Sequence, residues 1–302
     1  MKIGVLVMAH GTPSSPAGIE SFYTRIRRGS PPTPELLADL TRRYLAIGGT
    51  SPLTERTAAQ VAGIADALER EAPGQFDVRY GSKFEPPLLE EAASSFVRDG
   101  VENVIGLVLA PHSSSLSTGQ YMSRAKEALG ADVDFVAIDA WYKTPGFLEL
   151  IAQRVNDALA TIPSSRYNTT EVLFSAHSLP LRVLENGDTY ADQLKESAEI
   201  AASLAGTTNF DVVWQSAGRT ADPWLGPDIL VALREVRERG VTDVVSCPIG
   251  FVSDHLEVLF DIDIEAQSVA RDIGLTLVRT ASLNDDPAFT SLLANAVRSA
   301  AS

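Results

Sequence analysis

Short runs of β-branched and aliphatic residues alternate along the chain with longer segments whose apolar positions recur every three or four residues. The short runs predict strands near 2–8, 76–81, 103–110 and 134–139, and again near 170–176, 210–216, 242–249 and 275–280. Between them lie amphipathic helices such as 57–71, with Val61, Ile64 and Leu68 on one face, together with 147–162 and 226–237. Strands alternating with helices predict an α/β architecture on parallel sheets. The eight strands divide evenly near residue 145, so two similar halves are expected, 1–145 and 146–302. The last helical pattern, 287–301, could pack on either half. The polar stretch 163–169 reads as a loop.

Composition narrows the class. With 302 residues, 45% of them hydrophobic, a sizeable core is expected and disorder is not. No run approaches the roughly 20 apolar residues that span a bilayer. Met1–Met8 reads as a first strand rather than a signal peptide, so a cytoplasmic location is expected. The single cysteine, Cys247, excludes an internal disulfide and any multi-thiolate zinc or iron–sulfur site. A net charge of −14 argues against nucleic-acid and anionic-membrane partners. An acidic protein needs a local basic patch to hold an acidic ligand. Arg25, Arg27, Arg28, Arg42 and Arg43 offer one, against the alternative of two solvated helix faces.

In open parallel sheets, ligands sit outside the carboxyl ends of the strands. All four histidines fall there: His10 after the first strand, His112 after the third, His177 after the fifth and His255 after the seventh. Two come from each half, which points to a cleft between the halves. Gly-x-Gly-x-x-Gly and the phosphate-binding loop ending in Lys-Ser/Thr are absent, so nucleotide binding loses its usual signal.

Four constellations could carry chemistry. In Phe174-Ser175-Ala176-His177-Ser178-Leu179-Pro180 an imidazole at a buried strand end can bind a transition metal or move protons; it could equally tie the strand end to backbone groups. In the segment 253–265, Glu257, Asp261 and Glu265 recur at i, i+4 and i+8 and would form a narrow acidic ridge on a helix. Such a ridge costs stability unless cations or protons occupy it, and it suits a path for hard or borderline cations. Asp254 and Glu257 also fit a capping box, which accounts for Glu257 but not for the other two. Arg42-Arg43 leading to Gly48-Gly49 and Ser51 is a place to catch a carboxylate, though helix ends favour Arg and Gly anyway. Trp214 and Trp224 could wall a flat aromatic ligand or simply pack in the core.

These motifs, in order, resemble one family. Met8-Ala9-His10-Gly11-Thr12-Pro13, Arg43-Tyr44 through Ile47-Gly48-Gly49 to Ser51-Pro52-Leu53, Ser175 to Pro180, Pro223-Trp224-Leu225-Gly226-Pro227 and Phe251 to Glu257 look like ferrochelatase over almost the whole chain. The resemblance implies two Rossmann-like domains, each a four-stranded parallel sheet flanked by helices, around a porphyrin cleft. It places the family's catalytic histidine at His177, its partner carboxylate at Glu257, and the acidic ridge of its metal-relay helix at Asp261 and Glu265. Porphyrin contacts fall on Ile26, Arg27, Arg43, Ser51 and Tyr121; Arg28 joins them through the basic cluster. Where soluble relatives carry a tyrosine facing the metal, this chain has His10, here expected as a substrate contact and an axial ligand of product iron. Relatives with an iron–sulfur cluster carry cysteines that this chain lacks.

The activity this implies is insertion of ferrous iron into a porphyrin in haem biosynthesis. Iron is then a substrate, and no cofactor is needed. The Arg25–Arg43 cluster and the lack of an apolar docking segment favour coproporphyrin III, with four carboxylates, over protoporphyrin IX. The alternatives are a protoporphyrin IX enzyme, a chelatase for cobalt or nickel, and a tetrapyrrole carrier without catalysis. A monomer is expected, with no stable membrane insertion and at most transient contact with neighbouring haem-pathway enzymes.

Overall fold

The computed structural model describes residues 2–218 and 220–302. Strands β1 (Ile3–Ala9), β2 (Phe76–Ser82), β3 (Asn103–Val108) and β4 (Asp134–Ile138) form one parallel sheet, in the order β2-β1-β3-β4. Strands β5 (Thr170–His177), β6 (Phe210–Gln215), β7 (Asp243–Cys247) and β8 (Thr276–Arg279) repeat it as β6-β5-β7-β8. The central strands are buried nearly end to end, which is why they read as continuous apolar runs: in β1 only Ile3 is not fully buried, and in β5 only His177.

Helices cover both sheets. Those around the first are α1 (Ile19–Ile26), α2 (Pro34–Ala46), α3 (Leu53–Glu71), α4 (Leu89–Arg98) and α5 (Thr118–Leu129). Then come α6 (Phe147–Leu159), α7 (Arg182–Glu185), α8 (Tyr190–Ala205), α9 (Ile229–Glu238), α10 (Gln267–Asp272) and α11 (Pro287–Ala300). Their starts follow from side-chain chemistry. Thr33 and Asp228 accept the backbone N–H groups of Leu36 and Leu230, and Asp286 accepts that of Ala288 just ahead of Pro287. The last helix lies against α3, in the first half, where Phe289 also meets Trp141 at 5.8 Å between ring centres. One apolar cluster holds Val5 and Leu107 of the first sheet together with Phe174 and Val245 of the second, so a shared core joins the halves.

Three local expectations change. Residues Ser164–Thr169 form a short 3₁₀-helix rather than a loop. The acidic ridge lies on a π-helix, Glu257–Ala266, not on an α-helix. Asp254 does not cap it: Leu256 occupies the cap with helical backbone angles, while the Asp254 carboxylate accepts from Ser282 Oγ and Asn284 Nδ2. The capping-box reading of Glu257 is therefore overturned.

Candidate active site

In each sheet the first strand is flanked by the second on one side and the third on the other, the switch point at which such sheets bind ligands. His10 follows β1 and His177 ends β5, so these imidazoles stand at the two switch points. Two cavities meet around them. The outer one, about 590 Å³, touches Ile26, Arg27, Arg43, Ser51, Asp261 and Glu265. The inner one, about 290 Å³, touches Gln60, Lys83, His112 and Tyr121. His10, His177, His255 and Glu257 line both. Arg28 lines neither; it lies in the turn just after α1, with a φ of +56°.

Three imidazoles share one arrangement. Nδ1 of His10 lies 3.0 Å from the carbonyl of Gly11, Nδ1 of His177 2.5 Å from that of Ser178, and Nδ1 of His255 3.0 Å from that of Ser253. A carbonyl can only accept, so Nδ1 carries a proton in each, and in the neutral ring the lone pair is left on Nε2. Among the three, His177 Nε2 stands 3.8 Å from Glu257 Oε2, too far for a hydrogen bond. That carboxylate oxygen is buried with no hydrogen-bond partner among the described residues.

The surroundings split the two carboxylates. Burial opposes ionisation of Glu257, but His177, His255 and His10 outweigh it and hold its pKa below the usual value. Burial raises Asp261 to about 7, helped by Glu257 and Glu265 and opposed by the Ser216 hydroxyl and Arg43. Carboxylates pushed apart in this way take different jobs: one stays an anion, the other exchanges protons near neutrality. Enclosure by protein also lowers the pKa of His10 and His255, which favours neutral imidazoles.

Backbone packing sets this geometry. A Cβ on Gly250 would fall 2.4 Å from that of Ala176, so only glycine lets the loop carrying His255 lie on the end of β5. Gln215 Nε2 donates to the Glu257 carbonyl at 3.1 Å, and Ser175 Oγ donates to Gln215 Oε1 at 2.9 Å. Ser216, at a φ of +59°, turns its hydroxyl onto Asp261. Helices that close i→i+5 bonds are rare and recur at functional sites. With more than four residues per turn, Glu257, Asp261 and Glu265 still fall close under one another along the outer cavity.

The tryptophans do not wall the cleft. Trp214 packs in the core at 5.7 Å from Tyr190, and Trp224 covers Gly218. His112 is buried and tied to Ser197 Oγ at 2.8 Å. Lys83 escaped the sequence reading. Its ammonium sits 4.7 Å from the centre of the Tyr121 ring and 5.3 Å from that of Phe84, and burial lowers its pKa to about 8. Nothing in its sequence neighbourhood signals an ammonium facing a cavity.

The family profile described as Ferrochelatase matches residues 2–301. A ferrochelatase of Herpetosiphon aurantiacus is 43% identical over 299 residues, covering 98% of each chain. The coproporphyrin III ferrochelatase of Bacillus subtilis is 42% identical over 301 residues, covering 98% of this chain and 97% of its own. Among solved structures, the fold is similar to the sirohydrochlorin chelatase SirB of Bacillus subtilis subspecies spizizenii in complex with cobalt. That match has a TM-score of 0.58 at 11% identity over 100% of this chain and 96% of that one. It is also similar to CbiX, the terminal enzyme of sirohaem biosynthesis in denitrifying bacteria, with a TM-score of 0.57 at 15% identity over 99% and 100%. With two parallel sheets facing one histidine-lined cleft, and a family match over nearly its full length, the chain belongs to the ferrochelatase family.

Proposed function

We propose that this protein inserts ferrous iron into coproporphyrin III, releasing two protons, as a step of haem biosynthesis. The observation that carries the reading is the gathering of His10, His177 and His255, each with Nδ1 held by a carbonyl, with the anionic Glu257 where the two cavities meet. Metallation removes two N–H protons from a rigid ring and strips water from iron. A cleft that binds the ring bent turns nitrogen lone pairs out of plane, a strain supplied by binding energy. His177 accepts a pyrrole proton or meets the iron, and Glu257 stabilises the imidazolium or passes the proton on. Among the described residues no three His, Cys, Asp or Glu side chains converge tightly enough to hold a metal ion. Iron arriving at His177 and Glu257 would therefore complete its shell with water or ring nitrogens.

The choice of coproporphyrin III is supported by Arg27 and Arg43 on the outer cavity and by the Lys83 ammonium on the inner one, which suit a ring bearing four carboxylates. The names of several relatives, coproporphyrin III ferrochelatases, agree. Iron keeps its oxidation state, so the proposal includes no cofactor. It places the enzyme in the cytoplasm as a monomer. Anaerobic turnover with ferrous iron across coproporphyrin III, protoporphyrin IX and sirohydrochlorin tests it. The expected result is the highest kcat/KM for coproporphyrin III. Equal or better turnover of protoporphyrin IX would refute the preference, and tight binding without turnover would make the protein a carrier.

A further inference from the structure

Gln60 lies on α3, in the first half, and is fully buried. On α3 it shares a face with Leu53 and Thr57, which also line the inner cavity. Its Nε2 lies 2.7 Å from the Asn284 carbonyl, 2.8 Å from Ser253 Oγ and 3.3 Å from the Val252 carbonyl, all in the second half. Carbonyl oxygens can only accept, so the amide cannot be turned round: nitrogen must face the loop. Its Oε1 is then left buried without a partner among the described residues. A buried acceptor left open is costly, and here the cost accompanies two N–H donors shared among three acceptors, two on the 252–253 stretch and one on Asn284.

That segment carries the chemistry. Ser253, held by Gln60, presents its own carbonyl to Nδ1 of His255, which fixes that imidazole's tautomer and tilt. Asn284 holds the same stretch from the other side: its N–H donates to the Val252 carbonyl, and its Oδ1 accepts from the Asp254 N–H. Glu257 follows four residues after Ser253. His10, by contrast, belongs to the first half, as Gln60 does.

We infer that Gln60 is a positioning residue for metal insertion, setting His255 and Glu257 against His10 by tying the 252–254 loop to α3. The inference rests on the metal-insertion reading above. Gln60 acts through Ser253 and His255. Its loss should lower the rate of the chemical step more than the affinity for the porphyrin.

The test compares the wild-type chain with Gln60→Met and Gln60→Glu, both close in shape and both lacking the amide donor. It measures anaerobic iron insertion per folded molecule, with folded content from circular dichroism and denaturant titration. A kcat about tenfold lower with a porphyrin KM within about twofold of wild type is expected, since small misplacements of reacting groups cost rate more than binding. Ser253→Ala removes one acceptor without orphaning a carbonyl, and should lower kcat in the same direction by a smaller factor. A wild-type kcat in the folded fraction of Gln60→Glu, or in Ser253→Ala, would overturn the inference, as would losses confined to stability. An inactive wild-type chain would instead sink the metal-insertion reading itself.

Discussion

Arg43 Nη1 lies 3.5 Å from Asp261 Oδ1, joining a residue expected to hold the porphyrin to one expected to pass the metal. Arg43 reaches there from α2 with its Nε 3.1 Å from Asp39 and its guanidinium 5.1 Å from the Phe260 ring centre. The cation and the carboxylate belong to opposite halves, and both line the outer cavity. Arg43→Ala should therefore raise the porphyrin KM by about tenfold or more, the scale of one lost charge-assisted hydrogen bond. Arg43→Lys should restore only part of it, because an ammonium lacks the planar fork. Steady-state kinetics with porphyrin varied at saturating iron reads this, and an unchanged KM would remove Arg43 from the binding site.

His177→Ala should leave less than about a tenth of wild-type turnover while the porphyrin still binds, a loss above about 1.4 kcal/mol in the barrier. Glu257→Gln should be similarly severe, because the amide can neither stabilise an imidazolium at His177 nor pass its proton on. Porphyrin binding is followed separately by fluorescence quenching. Turnover near wild type in His177→Ala would take that residue out of the mechanism.

The raised pKa of Asp261, about 7, gives a pH signature. Below that value the carboxyl is neutral and attracts cations poorly, so the iron KM should rise as pH falls through 7, while Glu257 remains anionic. Asp261→Asn should show a high iron KM that is flat over this range, and Glu265→Gln a smaller increase. The sign for stability is opposite to that of a salt-bridged carboxylate. Between the ordinary value of 3.8 and about 7, the folded protein holds a proton that the unfolded chain has lost. Stability should therefore fall as pH rises across that window, and Asp261→Asn should flatten the fall. Denaturant titrations at several pH values measure it.

His10, its Nδ1 held by the Gly11 carbonyl, lies between Phe22 and Phe84, whose ring centres are 5.8 and 4.9 Å from its own. A neutral imidazole binds both ferrous and ferric iron. The expected outcome is an imidazole axial signature in resonance Raman spectra of the iron coproporphyrin complex, lost in His10→Ala. The same spectrum in both proteins would mean that another residue, or none, ligates the iron.

Local pattern was enough for the eight strands: the central ones, buried on both faces, must be apolar over their own length, and the half-exposed edge strands still show as short β-branched and aliphatic runs; β5 falls within one residue of the expected 170–176. It also located the histidines, since a strand end is a position in sequence as well as in space. The acidic ridge was legible for the same reason, as three carboxylates at fixed spacing in an apolar setting. The helix type beneath them was not, because i→i+4 and i→i+5 bonding suit the same residues and the groups that hold the helix, Gln215 and Ser216, lie 42 and 45 positions upstream of the residues they bond. Gln60 looked like one more polar residue on an amphipathic helix. Only folding brings its amide to Val252, Ser253 and Asn284, about 190 to 220 residues further along. The proton placement on the imidazoles and the opposite pKa shifts of Glu257 and Asp261 were likewise decided in three dimensions. They depend on which charges and carbonyls meet in a low-dielectric cleft, and sequence distance carries no information about that.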